Sequence, residues 1–203
     1  MDDTALVATP EALAKATQII ANCTTETGMR LKWPKCHLHG LPATTVRCKL
    51  LAFPKTIHFH QNFNMVCLKA PIGDDVFVRS WLDKKLSSLT KIVCFLCAMP
   101  HKHEAATLLR STAAECRVVY LMRILPPTQI SRFISDFDAT LRKGFEQLLG
   151  IPMDDLSWEI AKLPPKYGGM GWRTGLHTFG AHYIASLSKN SERICVSQPP
   201  TIH

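Results

Sequence analysis

No apolar run in this chain approaches the roughly 18–20 residues that cross a bilayer. The first residues are acidic and precede no apolar stretch, so a secretory signal is not expected. There is no internal repeat and no low-complexity tract, which leaves out a repeat array and a compositionally disordered chain. The eight cysteines show no disulfide-framework spacing. Together these absences lead us to expect a soluble intracellular protein, cytoplasmic or nuclear, with no membrane partner and no small-molecule cofactor. The most local absence is of negative charge, for no carboxylate occurs between Glu26 and Asp74.

That interval carries Arg30, Lys32, Lys35, Arg47, Lys49, Lys55 and Lys69, together with His37, His39, His58 and His60. It accounts for much of the net charge of +8. A surface so one-sided repels itself unless a polyanion lies against it, so nucleic acid is the expected partner of these cations. The alternative is a solvated basic face with no partner. Charge alone does not separate nucleic acid from an anionic membrane surface.

The 203 residues suffice for one domain or two small ones, and the 46% of hydrophobic residues is ordinary for a globular protein. Thr9-Pro10 is a helix start, a hydroxyl N-cap followed by proline at the first helical position. Leu13, Ala16, Ile20 and Cys23 continue it at helical spacing, and Gly28 is a stop. Met29, Leu31 and Trp33 then alternate with Arg30 and Lys32, and Phe63, Met65 and Cys67 alternate later. Both pieces predict short antiparallel strands, so residues 1–73 read as α+β.

From Asp74 the period becomes helical. Val78, Leu82, Leu86, Leu89, Val93 and Leu96 predict one long helix, broken near Pro100. Ala105, Leu109, Ala113, Cys116 and Tyr120 predict a second, ending before Pro126-Pro127. Ile130, Phe133, Phe137, Leu141, Phe145 and Leu148 predict a third, stopped by Gly150. A short helix around Leu156–Ile160 is capped by Asp154 or Asp155. A loop rich in Pro and Gly then leads to a last helix carrying Leu176, Phe179, Tyr183 and Leu187. Residues 74–190 thus read as all-α, and residues 191–203 as a frayed tail.

Three Asp-Asp pairs occur. Vicinal carboxylates on a tight turn suit hard Mg²⁺, and two such ions serve phosphoryl transfer. Asp74-Asp75 and Asp154-Asp155 read instead as helix N-termini favoured by the macrodipole. Asp2-Asp3-Thr4-Ala5-Leu6-Val7-Ala8 differs through its context, because it resembles the Tyr-Ala-Asp-Asp motif of reverse transcriptases. Gly28-Met29-Arg30-Leu31-Lys32-Trp33-Pro34-Lys35-Cys36 is similar to the next motif of that family, Gly-Leu-x-Leu-Asn-x-x-Lys-Cys. Cys67-Leu68-Lys69-Ala70-Pro71-Ile72-Gly73 is similar to the primer-grip hairpin, with Lys69 where glycine is usual.

Further on, Tyr120 through Pro127, Phe137-Asp138 and Leu148-Leu149-Gly150 resemble pieces of the thumb and C-terminal extension. Leu163-Pro164-Pro165-Lys166-Tyr167-Gly168-Gly169-Met170-Gly171-Trp172-Arg173 is similar to Leu-Pro-x-x-x-Gly-Gly-Leu-Gly-Leu-Arg. On these residues, in order from Asp2 to about Ser188, the chain resembles the C-terminal half of a non-LTR retrotransposon reverse transcriptase, an RNA-directed DNA polymerase.

The resemblance implies a palm remnant over residues 1–73 and a helical thumb over 74–190. It implies that Asp2 and Asp3 are vestigial ligands of catalytic Mg²⁺, that Lys35 lies near nucleotide phosphates, and that an RNA/DNA primer-template is the partner. The family's third catalytic aspartate and its fingers precede the aspartate pair. These residues alone are therefore expected to hold no Mg²⁺ stably, to be inactive as a polymerase, and to keep non-specific nucleic-acid binding. Two other readings stand beside this one: a domesticated helical interaction module, and an active polymerase whose N-terminus was lost from the gene model.

Several other groupings carry weaker signals. Cys94-x-x-Cys97 with His101 and His103 looks superficially like a zinc site, but both cysteines fall in a helical apolar pattern and read as core. Cys36, His37 and His39 match no closed tetrahedral spacing. His58 and His60 alternate on a possible strand and read as a basic or partly buried surface. Trp81, Trp158 and Trp172 read as core. Lys84-Lys85, Arg142-Lys143, Lys162 and Lys166 read as solvated faces, some of them turned to duplex if the thumb resemblance holds.

Overall fold

The computed structural model describes residues 5–26, 28, 32–41, 53–54 and 56–196. It is predominantly helical with two small sheets, and it divides into two compact units, Met1–Val78 and Arg79–His203.

In the first unit, α1 (Pro10–Glu26) begins where Thr9 predicts, with Leu13 N–H donating to the Thr9 carbonyl at 2.9 Å. Gly28 beyond its end has a φ of 74°, the left-handed conformation that suits glycine. The expected strand through Trp33 is corrected: Trp33–Lys35 form a 3-10 turn with Pro34 near its start. Proline presets the turn's φ and cannot donate to a sheet ladder. Met29 and Leu31 lie outside the described residues.

Two three-residue strands, β1 (His37–His39) and β2 (His58–His60), pair in parallel. This corrects the expectation of antiparallel strands throughout, and the long connection between β1 and β2 is what allows a parallel pairing. The second sheet is antiparallel as expected. β3 (Met65–Cys67) turns through Leu68-Lys69 into β4 (Ala70–Ile72), with Cys67 opposite Ala70.

The long helix α2 (Asp75–Cys97) opens at the end of the first unit and belongs otherwise to the second. Its Val78, Leu82, Leu89, Val93 and Leu96 are buried, as the periodicity predicts. The second predicted helix is instead broken into α3 (Lys102–Leu108), a π-turn at Leu109–Ala113, a 3-10 turn at Glu115–Arg117, and α4 (Val119–Ile124). Ala114, at φ −79° and ψ −146°, leaves helical geometry and rotates the following turn. Cys116 and Tyr120 are therefore exposed, while Val118, Leu121 and Met122 take the core positions.

Helix α5 (Pro127–Leu149) is the axis of the second unit. All six of its predicted core residues are buried, and Gly150 ends it at φ 75°. Gly144 is a close approach to α2, since a Cβ there would lie 2.4 Å from Val93 Cγ1. Helix α6 (Asp155–Lys162) is capped by Asp154, which accepts from Ser157 N–H at 2.7 Å. Helix α7 (Phe179–Val196) packs on α4 and α5. It runs past Asn190, correcting the tail expected there, because no proline or glycine interrupts the chain before Pro199. Residues 197–203 lie outside the described residues. Among the described residues, no helix is long and apolar enough to cross a membrane.

Candidate functional sites: the basic hairpin, the glycine loop and a histidine face

The β3–β4 hairpin presents Lys69 at its tip. Leu68 and Lys69 have φ values of 48° and 65°, so both loop residues occupy the left-handed region that a two-residue type I′ turn demands. Neither is Gly, Asn or Asp, and each non-glycine residue there costs about 1 kcal/mol. Glycine at position 69 would avoid that cost, and the lysine is held exposed on a strained turn.

The hairpin is closed by Asn64 and Asp74. Asn64 Nδ2 donates to Asp74 Oδ2 at 2.7 Å, and Asp74 N–H donates back to Asn64 Oδ1 at 2.9 Å. Asp74 Oδ1 also accepts from Phe77 N–H at 2.7 Å, capping α2. The Asn64 amide and the Phe77 N–H hold the Asp74 carboxyl below its usual range. Gly73 has no room for a side chain, because a Cβ would lie 2.2 Å from Asn64 Oδ1.

In the second unit the segment Leu163–Arg173 folds back on the end of α6. Met170 N–H donates to Ala161 O at 3.0 Å and Gly171 N–H to Leu163 O at 2.8 Å, satisfying the last helical carbonyls. Each glycine suits its place in the backbone. Gly168 and Gly171 have φ values of 81° and 70°, and a Cβ on Gly169 would meet Leu163 O at 2.1 Å. The fold-back seats Trp172 against Phe145, with ring centroids 4.7 Å apart, and Trp158 completes the aromatic cluster.

Trp158 and Trp172 are buried core residues as expected, whereas Trp81 is only half-buried. The loop continues to Gly175 and Leu176, whose N–H groups donate to the buried Asp138 carboxylate at 3.0 and 2.8 Å. Burial raises the Asp138 carboxyl above its ordinary range despite those two donors and the nearby Lys162 and His177.

The expected basic residues are placed unevenly. Lys32, Lys35 and Lys69 are exposed in the first unit. Arg30, Arg47, Lys49, Lys55, Asp2 and Asp3 lie outside the described residues. In the second unit Lys84, Lys143 and Lys166 are exposed. Arg142 is not a free surface cation: it bonds Asp155 at 2.7 Å, Glu146 at 3.3 Å and the Met153 carbonyl. Lys162 is largely buried and pairs with Glu159. Arg110, not singled out in the sequence, and Arg173, the last residue of the Leu163–Arg173 segment, line an open cleft with Glu115 and Gly171.

Of the cysteines read as core, Cys97 is buried and donates to Gly144 O at 3.2 Å, but Cys94 is exposed, being on the outer side of α2. Neither meets another ligand in a metal-sized group among the described residues. Such a group does form elsewhere, from His37, His39 and His60. Register places His37 beside His58 and His39 beside His60. The period-2 recurrence of histidine is visible in both segments, but nothing local in the sequence sets one against the other.

The chain matches no protein-family model, no curated protein and no solved structure.

Proposed function

We propose that this chain is part of a non-LTR retrotransposon reverse transcriptase, and that these residues alone bind nucleic acid non-specifically without extending a primer. The observation that carries the reading is the ordered series of motif-like segments from Asp2 to about Ser188. Two of these segments have backbone conformations that explain their residues. The Cys67–Gly73 segment is a tight hairpin whose closing glycine cannot carry a side chain. The Leu163–Arg173 segment is a fold-back in which Gly169 has no room for a side chain and Gly168 and Gly171 take the left-handed conformation that favours glycine. In the proposed reading residues 1–73 are a palm remnant and the helical part is a thumb. The carboxylate-free interval, with Lys32, Lys35 and Lys69 exposed, contacts phosphates.

Titration of an RNA–DNA hybrid at two salt concentrations tests the binding. We expect affinity that is indifferent to base sequence and falls steeply with salt, as counterion release requires. Absence of binding at low salt removes the claim. Primer extension with Mg²⁺ or Mn²⁺ on the same hybrid is expected to give no product. Product that disappears in Asp2→Asn/Asp3→Asn overturns the expected inactivity.

A further inference from the structure

We propose that His37, His39 and His60 form a binding site for a borderline divalent transition ion such as Zn²⁺. The site is independent of the reverse-transcriptase reading.

The sequence contains two His-x-His segments, His37-Leu38-His39 and His58-Phe59-His60. Side chains alternate along a strand, so each segment turns both histidines to one face. The parallel register sets the two pairs side by side. The result is a continuous imidazole face. The His39 and His60 rings stack at 4.5 Å, and His37 stacks on both His58 and His60 at 5.3 Å.

One ligand nitrogen from each of His37, His39 and His60 lies within 4.8 Å of the others. His37 Nδ1 and His60 Nε2 are 3.0 Å apart. Nitrogens bound to one tetrahedral ion at about 2.0–2.1 Å stand roughly 3.3 Å from each other. This pair therefore needs a shift of a few tenths of an ångström, and the third nitrogen, within 4.8 Å, has to close by at most about 1.5 Å. Without an ion the pair is held by a single shared proton, which a metal replaces.

No carboxylate occurs in the sequence between Glu26 and Asp74 that could balance imidazolium charge. Neutral imidazole is the form that binds metal. His39 Nδ1 sits 3.3 Å from the Asn62 carbonyl. That contact assigns the His39 proton to Nδ1 and leaves Nε2 free to coordinate, the usual outer-shell arrangement of a metal-binding histidine. Cys36 is adjacent in sequence, but its thiol turns to the Lys32 carbonyl at 3.6 Å. An all-nitrogen set selects Zn²⁺, Cu²⁺, Ni²⁺ or Co²⁺ over Mg²⁺ and Ca²⁺, which want oxygen. Three rings leave a tetrahedral ion one position for water or an exogenous ligand.

The test uses the full chain. Zn²⁺ titration by calorimetry is expected to show one site whose affinity falls on acidification, as protons compete for imidazole. Diethylpyrocarbonate labelling read by mass spectrometry is expected to show Zn²⁺ protecting His37, His39 and His60, with His101 and His103 labelled equally with and without the ion. This measurement needs no variant to fold. His37→Gln/His60→Gln is expected to weaken binding at least 10-fold, and His101→Gln/His103→Gln to leave it unchanged. Lack of binding, equal protection of all five histidines, or an affinity untouched by His37→Gln/His60→Gln overturns the site. A thiolate charge-transfer band in the Co²⁺ form overturns the all-histidine ligand set.

Discussion

The Asp138 carboxylate on α5 accepts the backbone N–H of Gly175 at 3.0 Å. This bond joins the middle of the second unit's central helix to the segment that enters α7. The packing around it is tight, since a Cβ on Gly175 would lie 2.8 Å from Ile134 Cγ2. A buried carboxylate with two backbone donors is a positioning device, and its loss strands those donors.

Asp138→Ala is therefore expected to destabilise the second unit by roughly 2–3 kcal/mol. Urea denaturation followed by tryptophan fluorescence reads this directly, because Trp158 and Trp172 lie in the same unit. A change under about 0.5 kcal/mol contradicts the assigned role.

Asp138 also gives a pH dependence of definite sign. Its folded-state pKa is raised, so in the interval above the ordinary carboxylate value the folded form holds the proton more tightly than the unfolded chain. Stability contributed at this position therefore falls as pH rises through that interval and is level above it. Asp138→Asn is expected to remove this slope, as read by denaturation midpoints across acidic pH. An unchanged profile refutes the attribution. Asp74 has the opposite sign. Its folded pKa is depressed, and its contribution is lost as pH falls below the ordinary carboxylate range. The protection factor of the Phe77 amide, taken relative to its intrinsic exchange rate at each pH, is expected to fall on acidification in the native chain and to lose that response in Asp74→Asn.

Gly144→Ala tests which of two effects wins. In an isolated helix the change gains about 1 kcal/mol of propensity. Here the added Cβ meets Val93 Cγ1 at 2.4 Å and Cys97 Sγ at 3.4 Å. Overpacking of this kind costs roughly 1–3 kcal/mol, so the expected result is net destabilisation. A stabilised variant in thermal denaturation shows that α2 yields more readily than its buried contacts imply.

Lys69 separates strain from charge. Lys69→Gly relieves the left-handed backbone and is expected to slow amide exchange across Met65–Ile72 by several-fold, an effect of about 1 kcal/mol. The same change removes one phosphate contact and is expected to reduce the salt slope of nucleic-acid binding by about one unit. Lys69→Arg keeps the charge and the strain. If Lys69→Gly and Lys69→Arg bind identically, Lys69 is no part of the nucleic-acid surface.

Much of the helical unit is legible in the order of its residues. Ile130, Phe133, Phe137, Leu141, Phe145 and Leu148 recur at helical spacing between two prolines and a glycine, and local sterics plus one apolar face suffice to make α5. Thr9-Pro10, Asp154 and Gly150 act within one helical turn, so their roles follow from neighbours alone. The break at Ala114 is not legible, because Cys116 and Tyr120 continue an acceptable helical period. Only the burial of Val118 and Met122 against the rest of the unit decides against it. The solvated reading of Arg142 fails for the same reason, since Asp155 and the Met153 carbonyl reach it from beyond the end of its own helix.

The histidines divide the two kinds of information most clearly. Alternation along the chain by itself determines that His37 shares a face with His39, and His58 with His60. Whether those faces meet depends on strand direction and register. Pairing is set by backbone hydrogen bonds between segments distant in sequence, and a one-residue slip would turn one histidine pair to the opposite face. Only the tertiary structure decides that, and it brings His37 and His60 within 3.0 Å.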